Sequence, residues 1–359
     1  MATQQKYFTN GLLQWNSKIN NRPMPWKGEK DPYKIWLSEI ILQQTRVEQG
    51  WDYYNRFVAA FPTVEELAKA PETKVFKLWE GLGYYTRCKN LIATAKFITA
   101  ECAGKFPATY DTILGLKGVG PYTAAAIASF AYNLPYAVVD GNVFRVLSRF
   151  FENATAIDST EGKNIFTKLA NELLDKKQPG IYNQALMDFG AVVCKPKLPL
   201  CKTCPLQSKC GAYLKGLVDV LPVKEKKINQ KTRWLFYFII QQDEKVYVRK
   251  RGTKDIWENL YEFVLIESPA ATEFAQVKKT PGFIKLLGKT GLSIETISKL
   301  YSQKLTHQTI HGQFIKIKLQ KSVQLEGYEL VSEKKLALLP FPKFITTYLK
   351  DKNVSLNLL

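Results

Sequence analysis

The stretch GLKGVGPYTAAA, residues Gly115–Ala126, sets Gly118 and Gly120 two apart and then places a proline ahead of an alanine-rich run. Glycine inside a helix costs about 1 kcal/mol against alanine, so neither glycine belongs to the helix that follows. They read as a tight hairpin, with Pro121 at the first helical position, where a missing N–H does no harm. Two helices joined this way turn backbone N–H groups and a helix N-terminus outward, which suits an anionic phosphate. An ordinary corner between two helices has the same local pattern.

Composition narrows the choice. The chain has 359 residues, enough for two domains, and its 46% hydrophobic and 23% charged content is that of a globular protein. Its formal net charge of +19 points to a polyanionic partner, nucleic acid first. A membrane partner is not expected, since no stretch approaches the roughly 18 apolar residues of a span. The N-terminal MATQQKYFTNGLLQW has no basic start followed by an apolar core, so it does not read as a secretory signal and an intracellular setting is expected. Of six cysteines, Cys194, Cys201, Cys204 and Cys210 crowd into CKPKLPLCKTCPLQSKC. With no export signal, that cluster reads as a metal site rather than a disulfide set.

The first part of the chain reads as helices joined by short turns. DPYKIWLSEIILQQTRVEQGW predicts about four uninterrupted turns capped by Asp31, and TVEELAKA opens on a capping box from Thr63 to Glu66. Charged, proline-bearing residues 216–232 read as a linker. Beyond it, WLFYFIIQ, KVYVRKR and QFIKIKLQKSVQL are strand-like, and TEFAQVKKT reads as a helix. The expectation is an α+β protein of two domains: an all-α domain over 1–215 and a smaller α+β domain over 233–359.

Two carboxylates stand out. Asp140, in VVDGNVFRVLSR, follows an apolar run and precedes a helix, so a plain N-cap explains it when taken alone. Glu39, in IWLSEIILQQT, has Ile35, Trp36, Leu42 and Gln43 at helical spacing. A glutamate on so apolar a face is expected to have a raised pKa and to stay protonated near neutrality. Two carboxylates in unlike environments are what cleavage of a glycosidic bond requires: one protonates the leaving group, the other faces the cationic sugar.

LKGVGPYTA resembles the helix-hairpin-helix element of DNA repair glycosylases, with Lys117 where proline is usual. Residues 22–210 as a whole resemble the MutY family, the adenine DNA glycosylases. The matching blocks include RPMPW, DPYKIWLSEIILQQT, LWEGLGYYTR, VVDGNVFRVLSRFF, NQALMDFGAVVC and the cysteine cluster. The resemblance implies a helix-hairpin-helix domain that binds duplex DNA, flips out adenine opposite 8-oxoguanine or guanine and hydrolyses its N-glycosidic bond. It implies that Glu39 protonates adenine N7, that Asp140 stabilises the oxocarbenium-like sugar and that Asn142 holds these groups. Arg22, Met24, Trp26, Gln184 and Met187 would line the adenine pocket. Gln44, Thr45, Leu82 and Tyr84 would lie against the base stack and the lesion, and Lys117, Gly118 and Gly120 against phosphate. Tyr122 occupies the position where bifunctional relatives carry a lysine nucleophile, so base removal without strand cleavage is expected.

The cysteine spacing is C-x6-C-x2-C-x5-C. Four thiolates can hold zinc, although structural zinc sites usually pair two C-x2-C knuckles and only one occurs here. The spacing equals the [4Fe–4S] pattern of the relatives, so the resemblance favours that cluster. The second domain resembles the Nudix fold without its glutamate-rich metal box, so no hydrolase activity is expected there. KLTHQ aligns with the family's lesion-sensing loop, read as Leu305, Thr306 and His307, with a frame using His311 left open. A monomer is expected. Two rival readings remain: an endonuclease III-like glycosylase/lyase on oxidised pyrimidines, and a silent lesion-binding protein.

Overall fold

The computed structural model describes residues 2–225, 230–288, 291–319 and 323–351. Parts of the expected linker (226–229) and of the last expected strand (320–322) therefore lie outside the described residues. In chain order the helices begin with α1 (Ala2–Lys18), α2 (Pro32–Leu42), α3 (Val47–Ala60), α4 (Val64–Lys69), α5 (Glu72–Trp79) and α6 (Tyr85–Glu101). They continue with α7 (Tyr110–Leu114), α8 (Pro121–Tyr132), α9 (Gly141–Phe150), α10 (Thr160–Leu173), α11 (Pro179–Val192) and the short α12 (Gly211–Leu214).

The chain forms two compact units, Met1–Lys69 with Asn90–Lys226, and Ala70–Lys89 with Lys227–Leu359. The boundary near 226 falls in the stretch read as a linker. Residues 70–89, read from sequence as part of the helical domain, instead pack with the C-terminal residues. The reason is specific contact: Phe341 N donates to Glu80 Oε1 at 2.7 Å and Lys77 Nζ to the Leu339 carbonyl at 3.0 Å.

In the helical unit, α1, α9, α10 and α11 bury a shared core that includes Phe8, Leu12, Trp15, Leu147, Phe150, Phe166, Tyr182 and Phe189. The expected long helix from Asp31 is two helices. It stops at Leu42, Gln44 takes a left-handed φ of 56°, and α3 begins at Val47. Asp31 caps α2 by accepting from Tyr33 N. The opening hairpin follows its reading: α7 ends at Leu114, Gly118 sits at φ 81°, Gly120 is the N-cap of α8 and Pro121 begins it. A Cβ at Gly118 would lie 2.8 Å from Asn90 Cβ, so glycine is needed there for space as well as conformation.

In the second unit, an eight-stranded sheet follows β1 (Lys231–Gln242), β2 (Lys245–Lys250), β3 (Tyr261–Glu262), β4 (Val264–Ser268), β5 (Leu292–Ile297), β6 (Tyr301–Lys304), β7 (Gln308–Leu319) and β8 (Glu329–Ser332). β1 pairs parallel with β7 and antiparallel with β2 and β4. It reads as a nearly unbroken apolar run because both faces are covered. Phe236, Phe238 and Ile240 pack with Phe274 and Phe283 on one side, while on the other Phe344 covers Tyr237 and its strand neighbour Phe314. The expected single helix at TEFAQVKKT is a four-residue turn, α13 (Phe274–Val277), followed by α14 (Pro281–Leu287) with Thr280 as its cap. Two further helices, α15 (Glu333–Leu338) and α16 (Lys343–Leu349), follow β8.

Candidate active site and thiol cluster

Glu39 points from α2 into the helical unit and is only 4% exposed. The Tyr122 hydroxyl, from the first turn of α8, hydrogen-bonds to it, yet Glu39 Oε2 is buried with no hydrogen-bond partner. Burial is the larger influence and lifts the Glu39 carboxyl to about 7; the Tyr122 bond pulls it down and the Asp140 charge pushes it up. Burial also holds the Tyr122 phenol well above its ordinary value.

Asp140 is the N-cap of α9, as its position before the helix suggested. Its Oδ1 accepts from Val143 N at 2.8 Å and its Oδ2 from Asn142 Nδ2 at 2.7 Å. Burial pushes this carboxyl up, against the pull of those hydrogen bonds and of Arg145. Burial raises both carboxyls, but their partners differ: Glu39 has an orphaned oxygen, whereas both Asp140 oxygens have donors. Asn142 is held in turn, since its Oδ1 accepts from Arg145 Nη2 at 2.9 Å. Arg145 also donates to the carbonyls of Gly190, at 2.7 Å, and Cys194, at 2.8 Å.

Beside Glu39 opens a cavity of about 220 Å³ that Trp26, Lys27, Ser38 and Gln184 also line. Trp26 is packed edge-on against Tyr54. Arg22 and Gln184 meet on one buried carboxylate, Asp188, at 2.8 and 3.0 Å. Met24 is buried, and Met187 packs against the buried cluster of Ala125, Ala126 and Val138, so its side chain serves the core beside the site. Gln44 is exposed and Thr45 half-buried at the break between α2 and α3, and Lys117 and Gly118 are exposed at the hairpin.

Cys194, Cys201, Cys204 and Cys210 line one largely apolar cavity with Arg149. Three of them pack against the α1–α9–α10–α11 core, and Arg149 Nη1 lies 3.6 Å from Cys194 Sγ. Burial pushes the Cys204 thiol up to about 12 and raises those of Cys201 and Cys210. To ligate a metal, thiols must give up their protons. An all-thiol donor set around one apolar space fits an iron–sulfur cluster. Among the described residues, no group of His, Cys, Asp and Glu side chains is arranged to hold a single metal ion.

In the second unit, Leu305–His307 forms the turn between β6 and β7, closed by Leu305 N donating to the Gln308 carbonyl at 2.8 Å. His311 lies within β7, stacked on Trp234 at 4.5 Å. The hydroxyl of Tyr84, which is 43% exposed, hydrogen-bonds that of Thr306. Leu82, expected against the base stack, is 5% exposed. Flanked by Gly81 and Gly83 at positive φ, with its N–H on the Trp79 carbonyl, it is folded inward.

Sequence reasoning missed Asp188, Asn20, Lys27, Arg145 and Arg149. The available signal was a charge inside an apolar helical run, as in ALMDFG and NVFRVLSRFF.

Residues 37–172 match the HhH-GPD superfamily base excision DNA repair protein model, and residues 236–351 match a NUDIX domain. The chain is 33% identical over 308 residues to adenine DNA glycosylase of Buchnera aphidicola subsp. Baizongia pistaciae, covering 85% of this chain and 84% of that one. It is 40% identical over 227 residues to adenine DNA glycosylase of Mus musculus, covering 60% of this chain and 44% of that one. A solved thermostable thymine-DNA glycosylase has a TM-score of 0.56 at 29% identity, covering 60% of this chain and 98% of its own. Endonuclease III in a non-covalent DNA complex, at TM-score 0.52 and 19% identity over 60% of this chain and 98% of its own, shares the fold. The helix-hairpin-helix match, the NUDIX match that follows it in the sequence and a relative that matches along most of both chains place this protein in the MutY family of adenine DNA glycosylases.

Proposed function

We propose that this chain is a monofunctional DNA glycosylase that hydrolyses adenine from mispairs with 8-oxoguanine or guanine in duplex DNA. The observation that carries the reading is Glu39: a buried carboxyl lifted to about 7, one oxygen unpartnered, on the wall of a purine-sized cavity. Flipped adenine enters that cavity. Glu39 in its neutral form gives its proton to adenine N7 as the glycosidic electrons leave with the base. Asp140, held by Val143 N and Asn142, faces the cationic sugar. Water then adds at the sugar carbon and gives its proton to the Glu39 carboxylate, which restores the acid.

Tyr122 has no amine, so no Schiff base forms and the strand stays intact. Cys194, Cys201, Cys204 and Cys210 would hold the [4Fe–4S] cluster, which supplies a rigid loop and no redox step. The hairpin at Lys117, Gly118 and Gly120 meets phosphate, with Gln44 and Thr45 against the bases. The Tyr84–Thr306 contact, with Leu305 and His307 beside it, supports a lesion-sensing role for that turn.

The test is incubation with an 8-oxoguanine:adenine duplex followed by alkali, with borohydride trapping in parallel. Alkali-dependent cleavage at adenine, absent in Glu39→Gln, is expected. Efficient trapping of a covalent adduct would favour the endonuclease III-like rival, and duplex binding without release would favour a silent binder.

A further inference from the structure

Asp188, on α11, is fully buried and carries no role in the chemistry above. Four donors converge on it. Arg22 Nη1 and Gln184 Nε2 reach Oδ1 at 2.8 and 3.0 Å, and Asn20 Nδ2 and Lys27 Nζ reach Oδ2 at 2.9 and 3.2 Å. An ionised carboxylate has about four acceptor positions and no donor, so this one is saturated. Two of its partners, Gln184 and Lys27, line the cavity beside Glu39.

A primary amide beside an acceptor-only group has one choice of orientation. Gln184 must turn its NH₂ toward Asp188, and Oε1 remains as its acceptor. We propose that Asp188 is a positioning residue for base selection: by fixing the Gln184 amide, it keeps an acceptor on the cavity wall. The inference rests on the reading of this cavity as the adenine site. Adenine carries an amino donor at C6, whereas hypoxanthine and guanine carry a carbonyl acceptor there. The amino group is satisfied by Oε1, and a carbonyl meets another acceptor in a desolvated space. Sites built to pair a substrate's donor reject analogues that lack it, because their own buried group is left unpaired.

Asparagine at 188 presents one acceptor and one donor. The Gln184 amide is then free to turn over, with Oε1 on the new NH₂ and its own NH₂ toward the cavity. Single-turnover release of adenine and of hypoxanthine, each opposite 8-oxoguanine, reads this directly. The adenine-to-hypoxanthine rate ratio is expected to fall at least about tenfold in Asp188→Asn. It is expected to fall in Gln184→Met as well, where Asp188 is intact, and to recover toward wild type in Asp188→Glu, which keeps two acceptor oxygens. Thermal midpoints and duplex affinity are measured alongside, and Gln184→Met decides the outcome if Asp188→Asn does not fold. A uniform loss on both bases, with the ratio unchanged in either variant, overturns the inference while the functional reading stands. No base release by the wild type overturns that reading and this inference with it.

Discussion

Glutamine in place of Glu39 should stabilise the protein at alkaline pH while abolishing its chemistry. Burial raises the Glu39 carboxyl from its ordinary 4.5 to about 7, so the folded state favours the neutral acid. Below about pH 4.5 both folded and unfolded chains are protonated at this group, and its contribution is fully present. Between 4.5 and 7 the unfolded chain ionises first and stability drains away. Above 7 the loss is complete, about 3 kcal/mol at 1.36 kcal/mol per pH unit. Glutamine is always neutral and avoids that loss. Urea unfolding at pH 5 and pH 8 should therefore show the variant gaining about 3 kcal/mol on the wild type at the higher pH, roughly 1 M in midpoint. Duplex binding should persist in the variant while adenine release disappears. An equal stability difference at both pH values would refute the buried-acid argument.

Three further outcomes follow from the same geometry. The rate of adenine release should fall about tenfold per pH unit above about 7; Tyr122→Phe, by removing the bond that pulls Glu39 down, should move that limb to higher pH. Gly118→Ala places a Cβ 2.8 Å from Asn90 Cβ at a φ of 81°. It should cost about 1–3 kcal/mol in thermal unfolding and weaken duplex binding by the hairpin. Purified protein should show the broad visible absorption of an iron–sulfur cluster, lost in Cys204→Ala together with thermal stability; a colourless protein containing zinc would contradict the assignment.

Much of this site was legible because the decisive signals were local. The hairpin needs glycine for conformation and proline for its helix start, and both are written in seven residues. Asp140 could be placed as an N-cap from the turn before α9, and its second oxygen followed from Asn142 two residues on. The break after Leu42 was not legible. Nothing in LQQTR resembles glycine or proline, yet Gln44 takes the left-handed conformation there. The grouping of Ala70–Lys89 with the C-terminal unit was hidden for a similar reason, since α5 has an ordinary helical pattern and its partners lie some 260 positions along the chain. Asp188 and Arg145 were missed because a lone charge in an apolar helix shows that it needs partners without showing which. Four donors gathered from Asn20, Arg22, Lys27 and Gln184 are a tertiary fact.

The central claim is most directly tested by quantifying free adenine released from an 8-oxoguanine:adenine duplex by the wild type and by Glu39→Gln. The account predicts free adenine and an alkali-labile, otherwise intact strand from the wild type, and neither from the variant. Adenine release by Glu39→Gln at the wild-type rate would contradict it.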